Sequence, residues 1–478
     1  MITTNRFEEQ FYKNTSKGKE FHDSFRVNVL ILPFTSNPST SNYDRTCGLR
    51  GVTGEFFRRI KDKQAKAIED FEKDAIEPVK SFLEEKHMKE KQINDFVDVM
   101  LDIIYSDGAL TIINPSFLKY IPLETGTPKS KKYKHGQETL AEYLLSMLNP
   151  KDVLKDKLSK QTNLFNEIII NALSSTNNGI RISNGIDKNE YIVFPFIKKL
   201  FWDDLRWLLE REDSVVVKYI HIFLHFYLCY SISQTIAGLD PKKYATPITE
   251  PVKMYYILSS EHSSETRDAV VNGWNKYVNK EAQEKLFGRI QALDIINGML
   301  EGNIGFYNDV YNELQKNEFT LDVKEKLEYI LNSYQNHKRE QLKSRETAKF
   351  QFPDEIDTSV SSYEEFINKL ANLCTSLQSK EYESKMKTRI NNLMKIRLLS
   401  TRRGREVLNL DDEMLFFLMA MISKGKRLKI EDLYVGFAKY GIAFDYETKN
   451  AIESYLMKLN LLERKSDSGE AQYVTVVL

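Results

Sequence analysis

Cysteine is almost missing from this chain. It holds three, Cys47, Cys229 and Cys374, far apart and without a CxxC pair. That count argues against a disulfide framework and leaves an expectation of reduced thiols in the cytoplasm. Proline (12) and glycine (20) are also scarce over 478 residues, and so few chain breakers favour a mostly helical protein. Net charge is missing too. Lys plus Arg number 68 and Asp plus Glu 68, so any case for nucleic acid must be local. The start, "MITTNRFEEQFYKNTSKGKEF", lacks the apolar stretch of a secretory signal. One long hydrophobic run exists, "VVVKYIHIFLHFYLCYSISQTIAGL" at 215–239. It carries Lys218, His221, His225 and Gln234 among many Tyr and Ser. Lipid-spanning helices rarely bear such polarity, so it reads as a buried core helix with no membrane role.

Catalytic signatures are lacking as well. There is no G-x-x-x-x-G-K-[ST], and "GTPKSKK" at 126–132 is too short to cradle phosphates. The glycines of "GLRGVTG" have the wrong spacing for a dinucleotide fingerprint and read as a flexible lead or turn into the next helix. His221 and His225 stand one helical turn apart, but Lys218 shares their face and no H-E-x-x-H follows. They read as packed, hydrogen-bonded histidines, with no metal. Carboxylate runs such as "FPDEIDTS" lack a following E-x-K, and G-x-S-x-G is absent. No catalytic residue, cofactor or metal is therefore expected. A nuclease assembled from dispersed acids stays as a third reading.

The apolar spacing predicts a mainly α protein. A multi-helix body with small β elements spans 1–348, a linker and basic helix 349–405, and a winged-helix domain ending in a β-hairpin wing 406–478. In the body, "RVNVLILPF" (26–34) reads as a strand. Phe57, Ile60, Ile68, Phe71, Ala75 and Phe82 mark one long helix over 54–88, kinked at Pro78. The lysines of 124–137 read as an exposed loop, and helices fill 137–174. A hairpin near 180–196 turns about Asn184-Gly185. Nearly unbroken helix runs from 196 to 348, and the polar stretch 344–362 is the linker.

The C-terminal order is distinctive. "NLDDEMLFFLMAMISKG" reads as a helix capped by Asn409 or Asp411 and ended by Gly425. "RLKIEDLYVGFAKYGI" is an extended start and a second helix with Leu433, Phe437 and Tyr440 on its apolar face. A third helix, capped by Asp445, buries Ile452, Leu456 and Leu459. Then "ERKSDSGEAQYVTVVL" turns at Asp467-Ser468-Gly469, where Gly469 supplies positive φ. Three helices and a two-stranded hairpin are the layout of a winged helix, whose third helix usually reads a groove.

The charge of this module is even. Residues 400–478 hold twelve Lys/Arg and twelve Asp/Glu, a poor balance for gripping a phosphate backbone. The third helix offers Lys449, Asn450 and Lys458 beside Glu447 and Glu453, and the wing offers Arg464 and Lys465. The stronger signal lies upstream. Lys385, Lys387, Arg389, Lys395, Arg397, Arg402, Arg403 and Arg405 occur with no acid between 384 and 405. Such a run reads as a phosphate-contacting helix and loop, or else as a solvated face or a surface for an acidic partner.

"LNLLERKSDSGEAQYV" (459–474) resembles the C-terminal signature of the DptG family, a subunit of the DNA phosphorothioation-dependent restriction system. "LPFTS" followed by "GVTGEFF" resembles that family's beginning. "LDDEMLFFLMAMI" and "RLKIEDLYVGFAKYGIAFDYETK" resemble its C-terminal helices. The resemblance implies a subunit acting with DptF-like and DptH-like ATPase partners against DNA lacking phosphorothioate marks. It supplies no catalytic motif to carry over. Two roles follow as expectations: a non-catalytic subunit that engages double-stranded DNA, or a scaffold whose winged helix docks on a partner protein.

Overall fold

The computed structural model describes residues 2–15, 18–21, 31–34, 49–61, 66–106, 109–124, 131–148, 163–175, 191–261, 267–278, 280–300, 305–345, 354–378, 380–464 and 472–476. Helices dominate and the sheets are small. The body begins with α1 (Asn5–Phe11), the ribbon β1 (Tyr12–Thr15) and β2 (Gly18–Phe21), and α2 (Arg50–Lys61). Next come α3 (Glu77–Glu85), α4 (Glu90–Ile104) and the pair β3 (Tyr105–Ser106) and β4 (Ala109–Leu110). The helices α5 (Lys131–Leu145), α6 (Leu164–Ser175), α7 (Pro195–Leu209) and α8 (Asp213–Gly238) follow.

Two short strands, β5 (Met254–Tyr255) and β6 (Ile257–Leu258), interrupt the helices, as do the single turns α9 (Asp268–Val271) and α10 (Trp274–Tyr277). Then run α11 (Lys280–Met299), α12 (Tyr307–Gln315), α13 (Leu321–Arg345), α14 (Tyr363–Ser376) and α15 (Lys380–Met394). The chain closes with β7 (Leu399–Arg402), β8 (Arg405–Leu410), α16 (Asp412–Ser423), β9 (Leu428–Lys429) and α17 (Ile430–Ala438). Last are β10 (Ile442–Ala443), α18 (Tyr446–Lys458), β11 (Leu462–Arg464) and β12 (Gln472–Val474).

The apolar run at 215–239 is the centre of the core. Every residue of α8 from Ile222 to Ile236 is buried, because neighbouring helices cover it on all sides. Its polar atoms are used inward. Tyr143 of α5 meets Ser231 at 2.6 Å, and Gln234 holds both backbone groups of Val252, at 2.7 and 3.0 Å. Tyr219 stacks on Phe417 of α16, and the Tyr230 hydroxyl donates to the Lys439 carbonyl at 3.1 Å. A polar-decorated apolar helix is thus a core element with satisfied side chains. The thiols of Cys229 and Cys374 are buried and unbridged, and burial pushes Cys374 up to about 12.

Several expectations change. The helix over 54–88 is broken: α2 stops at Lys61, residues 66–68 are non-helical, and a wide turn at Glu72–Ile76 leads into α3. Pro78 lies inside a helix that is continuous over 71–85, just after the π turn Glu72–Ile76, and that irregular turn accommodates its missing N–H. The lysine-rich loop is partly helix, since α5 begins at Lys131 and Lys134 pairs with Glu69. Of the strand at 26–34, residues 31–34 are irregular with Ile31, Leu32 and Phe34 buried; 26–30 lie outside the described residues. So do Asn184-Gly185 and Asp467-Ser468-Gly469. Residues 354–360, read as linker, lie along α13, where Gln335 brackets the Ile356 backbone and Val360 is buried.

Gly51 and Gly54 are helical, not a flexible lead. They let α2 approach the backbone of 121–124: a Cβ on Gly54 would stand 2.3 Å from the Ile121 carbonyl oxygen. Arg58 of the same helix donates to that carbonyl at 2.5 Å and to the Lys119 carbonyl at 3.0 Å. Burial pushes Glu55 up, but Arg58 and Arg59 more than reverse this and hold it below the usual carboxylate range. In an open helix Gly→Ala gains about 1 kcal/mol, whereas overpacking costs about 1–3 kcal/mol. At this separation the clash wins. Gly54→Ala is expected to lower the free energy of urea unfolding by roughly 1–2 kcal/mol; a stabilised variant would refute the close-packing role.

Candidate nucleic-acid interface

The basic run does not form one helix and loop. It divides among α15, a turn at 395–398 and an unforeseen hairpin, β7–β8, in which Arg402 pairs with Arg405. Arg403 and Gly404 form its two-residue turn at φ 48° and 78°, the paired positive values of a type I′ connection. β8 also pairs in parallel with β6, placing Asn409 beside Ile257, so the ribbon is fixed to the body along one edge.

The cations fare differently. Lys395 pairs with Glu406 at 2.8 Å, and Arg397 reaches Glu413 at 2.6 Å and Asp411 at 3.8 Å. Arg402 donates to the Ser259 carbonyl at 2.7 Å, and Lys449 lies 5.1 Å above the Tyr434 ring. Arg389 and Lys385 are half-buried on α15, and burial pushes the Arg389 guanidinium down. Lys387, Arg403, Arg405, Asn450 and Lys458 are exposed. The Arg464 side chain and all of Lys465 lie outside the described residues. At least Lys395, Arg397 and Arg402 of the eight-residue run are thus held by acids or a carbonyl, which removes much of its apparent charge.

The last seventy residues assemble as three helices with a three-stranded antiparallel sheet in which β12 lies between β11 and β9. Asp411 caps α16 by accepting from the Met414 amide at 2.7 Å; Asn409 is in β8. Lys424 and Gly425 end that helix at positive φ, and Gly441 does the same after α17. Leu433, Phe437, Tyr440, Ile452 and Leu456 are buried as their spacing requires, but Leu459 is 45% exposed.

Two charged centres weld this unit to the body, and neither has a sequence signal. Asp204 of α7 is buried. Its Oδ2 accepts from Tyr227 of α8 at 2.7 Å and from Tyr440 at 2.6 Å, and Lys424 stands 3.1 Å from Oδ1. Burial still raises this carboxyl, with those donors opposing. Arg267 forks onto Asp445, the cap of α18, at 2.7 and 3.1 Å, and reaches Thr448 at 2.7 Å and Glu261 at 3.1 Å. A helix N-terminus is a common phosphate seat; that of α18 is occupied by an aspartate and an arginine of the body.

The outward face of α18 is mixed. Tyr446, Asn450, Glu453 and Met457 share one side by their spacing. Tyr446 is 79% and Met457 37% exposed, with Glu447 and Ser454 exposed nearby. Val435 of α17 is 61% exposed. Among the described residues no group of three or more His, Cys, Asp or Glu is placed to hold a metal ion.

His225 positions the basic helix. Its Nε2 lies 3.0 Å from the Leu393 carbonyl of α15 and 3.3 Å from Cys229 Sγ. Burial pushes this imidazole down to about 4; the Leu393 carbonyl opposes the fall and Arg397 adds to it. The folded value lies below the unfolded value of about 6.5, so the unfolded chain binds the extra proton between the two. The contribution is whole above about pH 6.5 and is lost as pH falls towards 4, by roughly 3 kcal/mol. Urea unfolding should therefore show the parent losing about 3 kcal/mol more than His225→Gln between pH 7 and pH 4; equal losses would refute it. Compared with known proteins, the chain matches no family model and no curated protein.

Proposed function

We propose that the chain is a non-catalytic, cytoplasmic accessory subunit of a DNA-restricting assembly, as its resemblance to the DptG family implies. We further propose that residues 406–478 form a winged helix that docks on a partner protein. The winged-helix reading is supported by the succession α16, β9, α17, α18, β11, β12 with β12 central in the sheet.

The observation that carries the docking reading is the exposed side of α18. A groove-reading helix needs cations around it, since phosphate contacts supply most of the affinity. Here Tyr446 and Met457 lie on the outward side near Glu453 and exposed Lys458, while Glu447 pairs with Arg267 of the body and Lys449 is drawn onto Tyr434. Exposed aromatic and methionine side chains with a neutral rim are the composition of a protein interface. The partners this reading implies are the DptF-like and DptH-like ATPase subunits.

Removing 406–478 is a poor test, because β8 and β10 pair with β6 and β5 and the deletion would open the body. Point substitutions avoid this. Tyr446→Glu with Met457→Glu alters two exposed side chains and should leave the melting temperature within about 1–2 °C, as surface changes do. Co-expressed with both ATPase subunits, the double variant is expected to lose them on affinity purification while the parent retains them. Undiminished co-purification would reject docking through α18. The DNA-directed reading is favoured by one separate observation, the exposure of Lys387, Arg403 and Arg405.

A further inference from the structure

Arg403 stands at φ 48° because the type I′ turn it forms with Gly404 requires a positive value there, yet arginine is not a residue that turn favours. A side chain in the left-handed region is strained, and hairpin turns of this type favour Asn, Asp or Gly. Lys424, also at φ 48°, reaches Asp204 from that conformation. Arg403, at φ 48°, is exposed and makes no hydrogen bond or ion pair among the described residues. The turn explains the backbone angle but not the choice of arginine at its tip, which points to a function outside the molecule.

The surroundings agree. A Cβ placed on the adjacent Gly404 would meet nothing within 4 Å, so the turn projects into open space. The base of the ribbon, by contrast, is held on every side. Arg402 donates to the Ser259 carbonyl, Asn409 to Ser259 Oγ at 2.8 Å, and Asn275 to the Glu406 carbonyl at 2.8 Å. Lys395 neutralises Glu406, the acid nearest the tip, and Val407, Leu408 and Leu410 are buried. A rigid base and a projecting arginine are the parts of a pre-organised contact, in which little freedom remains to be lost on binding.

We propose that the β7–β8 hairpin is a second, arginine-tipped wing that contacts the phosphate backbone of double-stranded DNA through Arg403, with exposed Arg405 beside it. A guanidinium matches phosphate oxygens in a planar fork, and a two-stranded ribbon is narrow enough to enter the major groove. The contact lies outside the module assigned to protein docking. It rests on the reading that the assembly acts on DNA, and it frees α18 from having to serve both partners.

The test uses the full chain alone and a labelled DNA duplex, with anisotropy followed over a series of salt concentrations. Arg403→Asn suits the turn better than arginine, so its melting temperature should be no lower than the parent's. Its affinity should fall about three- to tenfold at low salt. The slope of log affinity against log salt should become shallower by about 0.9, one phosphate contact. Arg403→Lys should keep the parent slope. The proposal is overturned if the parent does not bind duplex, or if Arg403→Asn keeps the parent's affinity and slope. It is equally overturned if polyglutamate loses affinity for the variant to the same extent, which would make the ligand an acidic protein. No partner protein is present, so the result is independent of whether α18 docks.

Discussion

The buried carboxylate of Asp204 is the interaction on which the arrangement of this protein turns. It joins α7, α8, the end of α16 and the turn after α17 at one point through Tyr227, Tyr440 and Lys424. A buried charge without such donors costs several kcal/mol, so its three donors are required together. Removing one strands the others in an apolar setting that includes Phe226 against Tyr440 and Phe201 against Tyr227. The carboxylate therefore fixes where the C-terminal helices sit against the body, more sharply than apolar packing, which tolerates sliding.

That constraint works with the extended segment 254–259. Its amides and carbonyls pair with β10 through Met254 and Tyr256, and with β8 through Ile257 and Leu258. Arg267, just beyond, clamps the cap of α18. The C-terminal unit has the element order of a separable module, yet its edges are completed by backbone from the middle of the chain. The orientation of α18 and of the β7–β8 ribbon is thus set by the body.

Charge shows the same division between local and global control. Eight cations without an acid look like one basic surface in the linear chain. In the fold, Glu406, Glu413 and Asp411 lie against Lys395 and Arg397, and the Ser259 carbonyl takes Arg402. Such contacts shorten the reach of a cation, because its field is largely cancelled by a neighbour of opposite sign. What remains exposed is fewer and more localised.

By itself the sequence determined the helical class, the core placement of the apolar run at 215–239, the cap Asp445 and most of the apolar faces of the last three helices, though not the exposed Leu459 or the choice of Asp411 over Asn409. Each depends on spacing or on capping chemistry within a few residues, and local rules suffice. The break after Lys61 escaped the pattern because the apolar period continues through it. The hairpin at "STRRGREV" left only a trace, Arg403-Gly404 before a β-branched and apolar stretch, and the density of charge hid it. Asp204 and Arg267 left none, since a carboxylate or a guanidinium in a helix or loop looks alike whether solvated or buried. Only tertiary structure decided which cations are neutralised, which face of α18 is outward and where Arg403 projects. Those outcomes depend on residues some 140 to 240 positions apart brought within hydrogen-bond distance, such as Arg402 to Ser259 and Tyr440 to Asp204.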